Sequence, residues 1–384
     1  MFDPDRIADE LCELIRIDSL SGQEREVAHF LAERLEQLGL PTRFDDAHLA
    51  IDGEVGNLYA RIDATAPNLP ALMLNAHMDT VKPGCGIEPV RDGDLLRSAG
   101  DTILGGDDKA GIAVIMAVVR ELIEQKPPHG DIHVIFTIAE ETGLNGAKNL
   151  DYDSFQADWA LVLDGGREAG SVCVAAPSAL RMTYDIYGKA AHSGVCPEQG
   201  ISAIQATASA IAAMKLGRID AETTANIGII SGGQARNIIP PHCHMQGEAR
   251  SHDRDKLDAQ VRHMNESVRN ACKRLGARTE IEQVNSYQSF ALGDEHPLVL
   301  AATEAAQQLG LEPGLEIGGG GSDANVFNEK GIPAIILPTG ASGAHTLEET
   351  VDVPALGGCA EYLWTVMRCL NKWRRDGHLT ASDN

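Results

Sequence analysis

This chain lacks any cysteine pairing signal. Its eight cysteines run from Cys12 to Cys369 without a CxxC or any paired spacing, which excludes a disulfide framework and reads as free thiols in a reducing compartment. Basic residues are also scarce. Lys and Arg number 32 against 56 Asp and Glu, a formal net charge of -24 with a pI near 4.8, so nucleic acid and anionic membrane surfaces are excluded as partners by repulsion. The segment Met1–Arg6 carries acids where a signal peptide needs bases, and no long uncharged apolar run occurs anywhere, so a cytoplasmic location is expected. There is no internal repeat and no low-complexity segment. What remains is 384 residues, 43% hydrophobic and 23% charged, ordinary for a soluble globular protein and long enough for two domains.

The stretch Ala71-Leu-Met-Leu-Asn-Ala-His77-Met-Asp79 reads as a buried strand that stops on a histidine and an aspartate. In an open α/β sheet, ligands gather at that C-terminal end. An isolated His-x-Asp pair has two meanings there: a metal ligand with an aspartate orienting its ring, or a surface histidine near an acid. Further segments sharpen the choice. Two amphipathic helices precede the strand, one starting at Asp3-Pro4 and one from about Gln23 to Leu38. A helix follows the turn Gly105-Gly-Asp107-Asp-Lys-Ala-Gly111 and stops at Pro127-Pro128. Ile132–Ile138 is a strand ending on Glu140-Glu141, and Trp159–Leu163 another ending on Asp164.

From about Ser178 the pattern becomes strand, helix, strand, strand, helix, strand, the βαββαβ order of a small α/β sandwich with its own sheet. The first pattern resumes after about Leu292, with a helix from Pro297, a strand Ala334–Leu337 and a last helix from about Pro354 to Trp373. The expected fold is α/β, with residues 1–177 and 292–384 forming one mixed-sheet domain and 178–291 inserted as a second. The tail Asp376–Asn384 is polar and expected to fray.

Strand ends and turns of the outer domain thus offer His77, Asp79, Asp107, Glu140, Glu141, Asp164 and His345. Carboxylates and imidazoles collected at one sheet edge repel one another unless cations are present, so metal is the economical explanation. Zinc-type sites favour histidine with carboxylate, and two metals roughly 3.5–4 Å apart need a bridging carboxylate. Asp107, at a glycine-flanked turn before a helix, suits the bridge.

His77-x-Asp79, Gly105-Gly-Asp107-Asp-Lys-Ala-Gly111, Ala139-Glu140-Glu141-Thr-Gly143, Asp164 and Gly343-Ala-His345 resemble, in order and spacing, the dizinc metallopeptidases that include peptidase T, carboxypeptidase G, acetylornithine deacetylase and succinyl-diaminopimelate desuccinylase. The resemblance spans nearly the whole chain. It implies one zinc on His77, Asp107 and Asp164, and a second on Asp107, Glu141 and His345, with cobalt or manganese as other candidates. Glu140 would be the general base, Asp79 would orient His77, and the Asp107-Asp108 peptide would be cis. Adjacent strand-end residues can point opposite ways, so that Glu141 faces metal and Glu140 substrate.

The resemblance further implies that the inserted domain is a lid that forms a homodimer. Its Ala191-His192-Ser-Gly194 turn would bring His192 to an active site, often the partner's, and Asn237 and Arg250 would bind the substrate's backbone or carboxylate. Against this stand plainer readings: Arg250 as a strand-end salt-bridge residue, and Asn237 as a turn former before Pro240. Asp164-Gly-Gly, Glu248-Ala-Arg-Ser-His252-Asp and Gly-Gly-Ser322-Asp-Ala-Asn are most similar to the peptidase T branch. The implied activity is removal of N-terminal residues from short peptides; the alternative is an N-acyl amino-acid amidohydrolase or deacetylase with the same dizinc site. His242-x-His244 reads as a plain sheet face without a third ligand. Gly318–Gly321 lacks a P-loop's lysine-serine ending and reads as a tight turn near substrate. Lys109 reads as a local partner of acids.

Overall fold

A computed structural model of the chain describes residues 2–166 and 168–375; the tail from Asp376 lies outside the described residues. The described residues divide into two compact units, one of residues 2–166, 168–175, 291–318 and 322–375, the other of residues 176–290 and 319–321. Each has its own hydrophobic core.

The centre of the first unit is a run of four parallel strands in the order Ile132–Thr137, Leu72–His77, Trp159–Gly165 and Ala334–Pro338. Every residue of Leu72–His77 and of Ile132–Thr137 is buried, which is why these strands read as unbroken apolar runs rather than alternating ones. The sheet extends on one side through Leu58–Ile62 and Thr42–Phe44, and on the other through Ser171–Ala176. The helix Gly106–Gln125 packs on Leu72–His77 and Trp159–Gly165, with Pro4–Ile15 and Val353–Arg375 against it. A separate four-stranded sheet pairs Ala341–Ser342, Thr350–Asp352, Leu95–Ser98 and Pro89–Asp92. It anchors both ends of the loop carrying His345.

The second unit follows the βαββαβ order. Its antiparallel sheet contains Ser178–Tyr187, Thr223–Gly232, His242–Ser251 and Arg278–Tyr287, with a short Gly217–Arg218 strand at one edge. The helices Ala203–Ala213 and Arg254–Leu275 supply its core through Ala206, Ala210, Val261, Met264 and Val268. Among the described residues no helix is long and apolar enough to cross a membrane.

Candidate active site

The four parallel strands end on the same edge, and the side chains singled out from the first unit meet there. His77 is the last residue of its strand and 3% exposed. Its Nδ1 lies 2.9 Å from the backbone oxygen of Asp79, so a neutral ring donates there and leaves Nε2 as a ligand atom. The Asp79 carboxylate is farther, at 3.4 Å. Position i+2 across a bending strand end brings the carbonyl closer than the side chain, so Asp79 fixes the tautomer chiefly through its backbone.

His77 Nε2 faces Asp107 Oδ1 at 3.2 Å. Asp107 reaches in the other direction to His345 Nε2, 3.4 Å from Oδ2, and His345 Nε2 also meets Glu141 Oε1 at 2.7 Å. One donor atom each of His77, Asp107 and Asp164 falls within 4.8 Å of the others, and the same holds for Asp107, Glu141 and His345 and for His77, Glu140 and Glu141. Asp107 is common to the first two groups, the position of a bridging carboxylate. The Asp107-Asp108 peptide is cis, and neither residue has helical φ and ψ, so the regular helix starts beyond Asp108.

The Glu140-Glu141 pair departs from strand alternation. The strand stops at Thr137, Ala139 takes a left-handed φ of 48°, and both glutamates turn into the same cluster instead of diverging. Backbone amides hold the turn. Glu140 N–H donates to Asp79 Oδ1 at 2.9 Å and Glu141 N–H to Oδ2 at 3.2 Å.

Electrostatics mark the donor set as one suited to cations. Burial, then the neighbouring Asp164, pushes Glu140 well above the usual carboxylate range, and burial followed by Asp107 does the same to Asp164. Burial opposes charge on Asp107 too, but hydrogen bonds to His345 and His77 hold it low. Hydrogen bonds to Asp107 and Glu141 raise His345 to about 10. Buried carboxylates interleaved with imidazoles, sharing one bridging acid, fit a pair of divalent cations.

Two residues that sequence reasoning missed support this edge. Glu349, 1% exposed, accepts the amides of Leu104 and Gly105 at 2.8 and 2.7 Å and that of Asp107 at 2.9 Å, so it shapes the turn that presents Asp107. Glu24, fully buried, accepts the amide of Ala139 at 3.0 Å; burial, then Asp79, raises it to about 7. Lys109 is fully buried and donates to the carbonyl of Ile17 at 2.6 Å, not to an acid.

The remaining candidates belong to the second unit. Within it, His192 and Asn237 come together: Ser193 N–H donates to Asn237 O at 3.0 Å, and His192 bridges with Ile238. Gly194 N–H donates to His192 Nδ1 at 3.2 Å, so the neutral ring carries its proton on Nε2. Arg250 makes a forked pair with Glu248, two residues earlier on its strand, both contacts at 3.1 Å. His242 and His244 both reach Asp185 Oδ1, at 2.8 and 3.1 Å, a surface triad the spacing did not reveal because Asp185 lies on the adjacent strand. A Cβ on Gly321 would fall 2.2 Å from the ring of Tyr287; close packing explains that glycine.

Comparison with known proteins agrees with this geometry. A family model described as peptidase family M20/M25/M40 matches residues 73–368. Peptidase T of Escherichia coli strain K12 is 29% identical, over 89% of this chain and 90% of that protein. The structure of a tripeptidase from Staphylococcus aureus Mu50 superposes with a TM-score of 0.90 at 36% identity, covering 97% of this chain and all (100%) of that one. That of the aminopeptidase PepT from Bacillus cereus ATCC 10987 gives 0.85 at 39% identity, covering 96% and 99%. With those donor groups at the sheet edge and these likenesses along nearly its full length, the chain belongs to the peptidase family M20/M25/M40, as a metallo-exopeptidase of the peptidase T branch.

Proposed function

We propose that this exopeptidase removes the N-terminal residue of short peptides, tripeptides foremost, with two zinc ions as its working metals. His77, Asp107 and Asp164 would hold one ion, and Asp107, Glu141 and His345 the other; cobalt or manganese would suit the same donors. The observation that carries the reading is the pair of three-residue donor groups sharing Asp107, with Glu140 beside them. When bound, such ions polarise the scissile carbonyl and make water acidic enough to lose a proton near neutral pH. Glu140 takes that proton and returns it to the leaving amine. Its buried setting favours the protonated form once the proton has arrived, and Asp79 keeps the turn beneath it in place.

In the same proposal residues 178–291 act as a lid that forms a homodimer, in a cytoplasmic protein. His192, with its Nε2 proton, would donate to the substrate's carbonyl oxygen, commonly from the partner chain, while Asn237 and Arg250 would hold the substrate backbone or carboxylate. The tripeptidase and aminopeptidase relatives support the choice of peptides over acylated amino acids. A side-by-side assay of Ala-Ala-Ala and N-acetyl-alanine tests it. Turnover of the tripeptide is expected; turnover of the acetylated amino acid alone would overturn the aminopeptidase reading and leave an amidohydrolase.

A further inference from the structure

The turn Ala139–Glu141 has three successive backbone N–H groups, and all three are bound by buried carboxylates. Ala139 N–H meets Glu24 Oε1 at 3.0 Å, and Glu140 and Glu141 N–H meet the two oxygens of Asp79 at 2.9 and 3.2 Å. Consecutive amides of this kind form a nest for negative charge. Here the nest is filled by side chains from two other parts of the chain.

One of those parts is the segment Ile17–Glu24, between the first two helices. Ser21 Oγ donates to Asp79 Oδ2 at 2.6 Å, and Glu24 Oε1 also accepts Gly22 N–H at 2.9 Å, closing its own turn. The segment is fastened along its length: Lys109 Nζ donates to Ile17 O at 2.6 Å, Thr80 N–H donates to Ser19 O at 2.9 Å, and Leu20 bridges with Thr80. Glu24 is fully buried, and its Oε2 has no hydrogen-bond partner among the described residues. Burying a carboxylate costs several kcal/mol. One amide in a turn could be satisfied by a serine or a water far more cheaply. What the carboxylate adds is a firm hold on Ala139, whose φ of 48° costs a residue bearing a Cβ about 1–2 kcal/mol.

We propose that Ser21 and Glu24 are positioning residues of the hydrolytic reaction: with Asp79 they grip the amides of Ala139–Glu141 and thereby set the direction in which Glu140 presents its carboxylate. This deepens the proposed function and rests on Glu140 being the base. Without Glu24, Ala139 relaxes out of the left-handed region and Glu140 swings with it, while the ions and the substrate still bind.

The test is Glu24→Ala beside Glu24→Gln, which keeps an oxygen acceptor, and Ser21→Ala, which removes one bond and carries little risk of misfolding. For Glu24→Ala, kcat is expected to fall about 10–100-fold, since a displacement of about 1 Å near the chemistry can cost about 100-fold, with KM within about threefold and metal content unchanged. Amide exchange at residues 139–141 is expected to accelerate about tenfold or more while that of Leu72–His77 does not. Glu24→Gln is expected to recover most of the kcat loss, and Ser21→Ala to show a smaller loss in the same direction. Unchanged exchange at 139–141 in Glu24→Ala, or a loss in Glu24→Gln equal to that in Glu24→Ala, would overturn the proposal; should Glu24→Ala not fold, unchanged kcat and exchange in Ser21→Ala would do so. Exchange needs no turnover, so failure of the clamp stays distinct from failure of the base assignment, which would appear as an active Glu140→Gln enzyme.

Discussion

The carboxylate of Asp79 is bound to the backbone of Glu140: Oδ1 accepts the Glu140 amide at 2.9 Å, while Oδ2 takes Glu141 N–H at 3.2 Å and Ser21 Oγ at 2.6 Å. One buried acid therefore joins the end of the His77 strand to the turn carrying Glu140 and Glu141. Asp79 does two jobs at once, orienting the His77 imidazole through its own carbonyl and fixing the turn through its carboxylate.

Asp79→Asn follows from this. The amide group turns one acceptor into a donor that faces Ser21 Oγ or an N–H group, so the turn loosens although the His77 carbonyl contact survives. Activity is expected to fall about 10–100-fold, the range typical of groups that support metal ligands, with metal content by elemental analysis falling far less. Turnover equal to wild type would count against the positioning role.

The strand ends were legible because Leu72–His77 and Trp159–Gly165 are buried on both faces, so their apolar runs break abruptly at the polar residues that matter. Asp107 was legible from its glycines. Glu24 and Glu349 were not, because each acts on backbone amides 115 and 242 residues away, and an amide leaves no trace in side-chain spacing. The short strands Pro89–Asp92, Leu95–Ser98 and Thr350–Asp352 escaped for another reason. They are three or four residues long, too short for a period to show. Asp185 beside His242 and His244 was hidden by strand pairing, which sequence distance does not reveal.

Gly111 offers a test of how the Asp107 turn is packed. In a helix, glycine to alanine normally stabilises by about 1 kcal/mol. Here a Cβ would stand 2.1 Å from Leu163 O and 2.4 Å from Asp108 Oδ1, closer than any real contact. Gly111→Ala is therefore expected to destabilise by about 1–3 kcal/mol, the range for overpacking, read as a lower denaturation midpoint. A raised midpoint would show that the helix sits farther from the Trp159–Gly165 strand.

Metal binding should release protons. In protein stripped of metal, hydrogen bonds to Asp107 and Glu141 keep His345 protonated up to about 10, and burial pushes the ligand Asp164 well above the usual carboxylate range. Ligation needs neutral imidazole and ionised carboxylate, so those protons leave as the ions enter. Between pH 6 and 8, below the His345 value throughout, apparent affinity is expected to rise at least about tenfold per pH unit. Calorimetry in buffers of different ionisation enthalpy would detect release of one or more protons; an affinity flat with pH would contradict the assigned donors.

The most direct measurement is turnover of a tripeptide by Glu140→Gln, paired with its metal content. The exchange keeps the shape of the side chain and removes its ability to take a proton. With Glu140 as the base, kcat is expected to drop about 10²–10⁴-fold, the contribution of a positioned general base, while the metal stays bound as in wild type. Activity within about tenfold of wild type, with metal retained, would contradict the account.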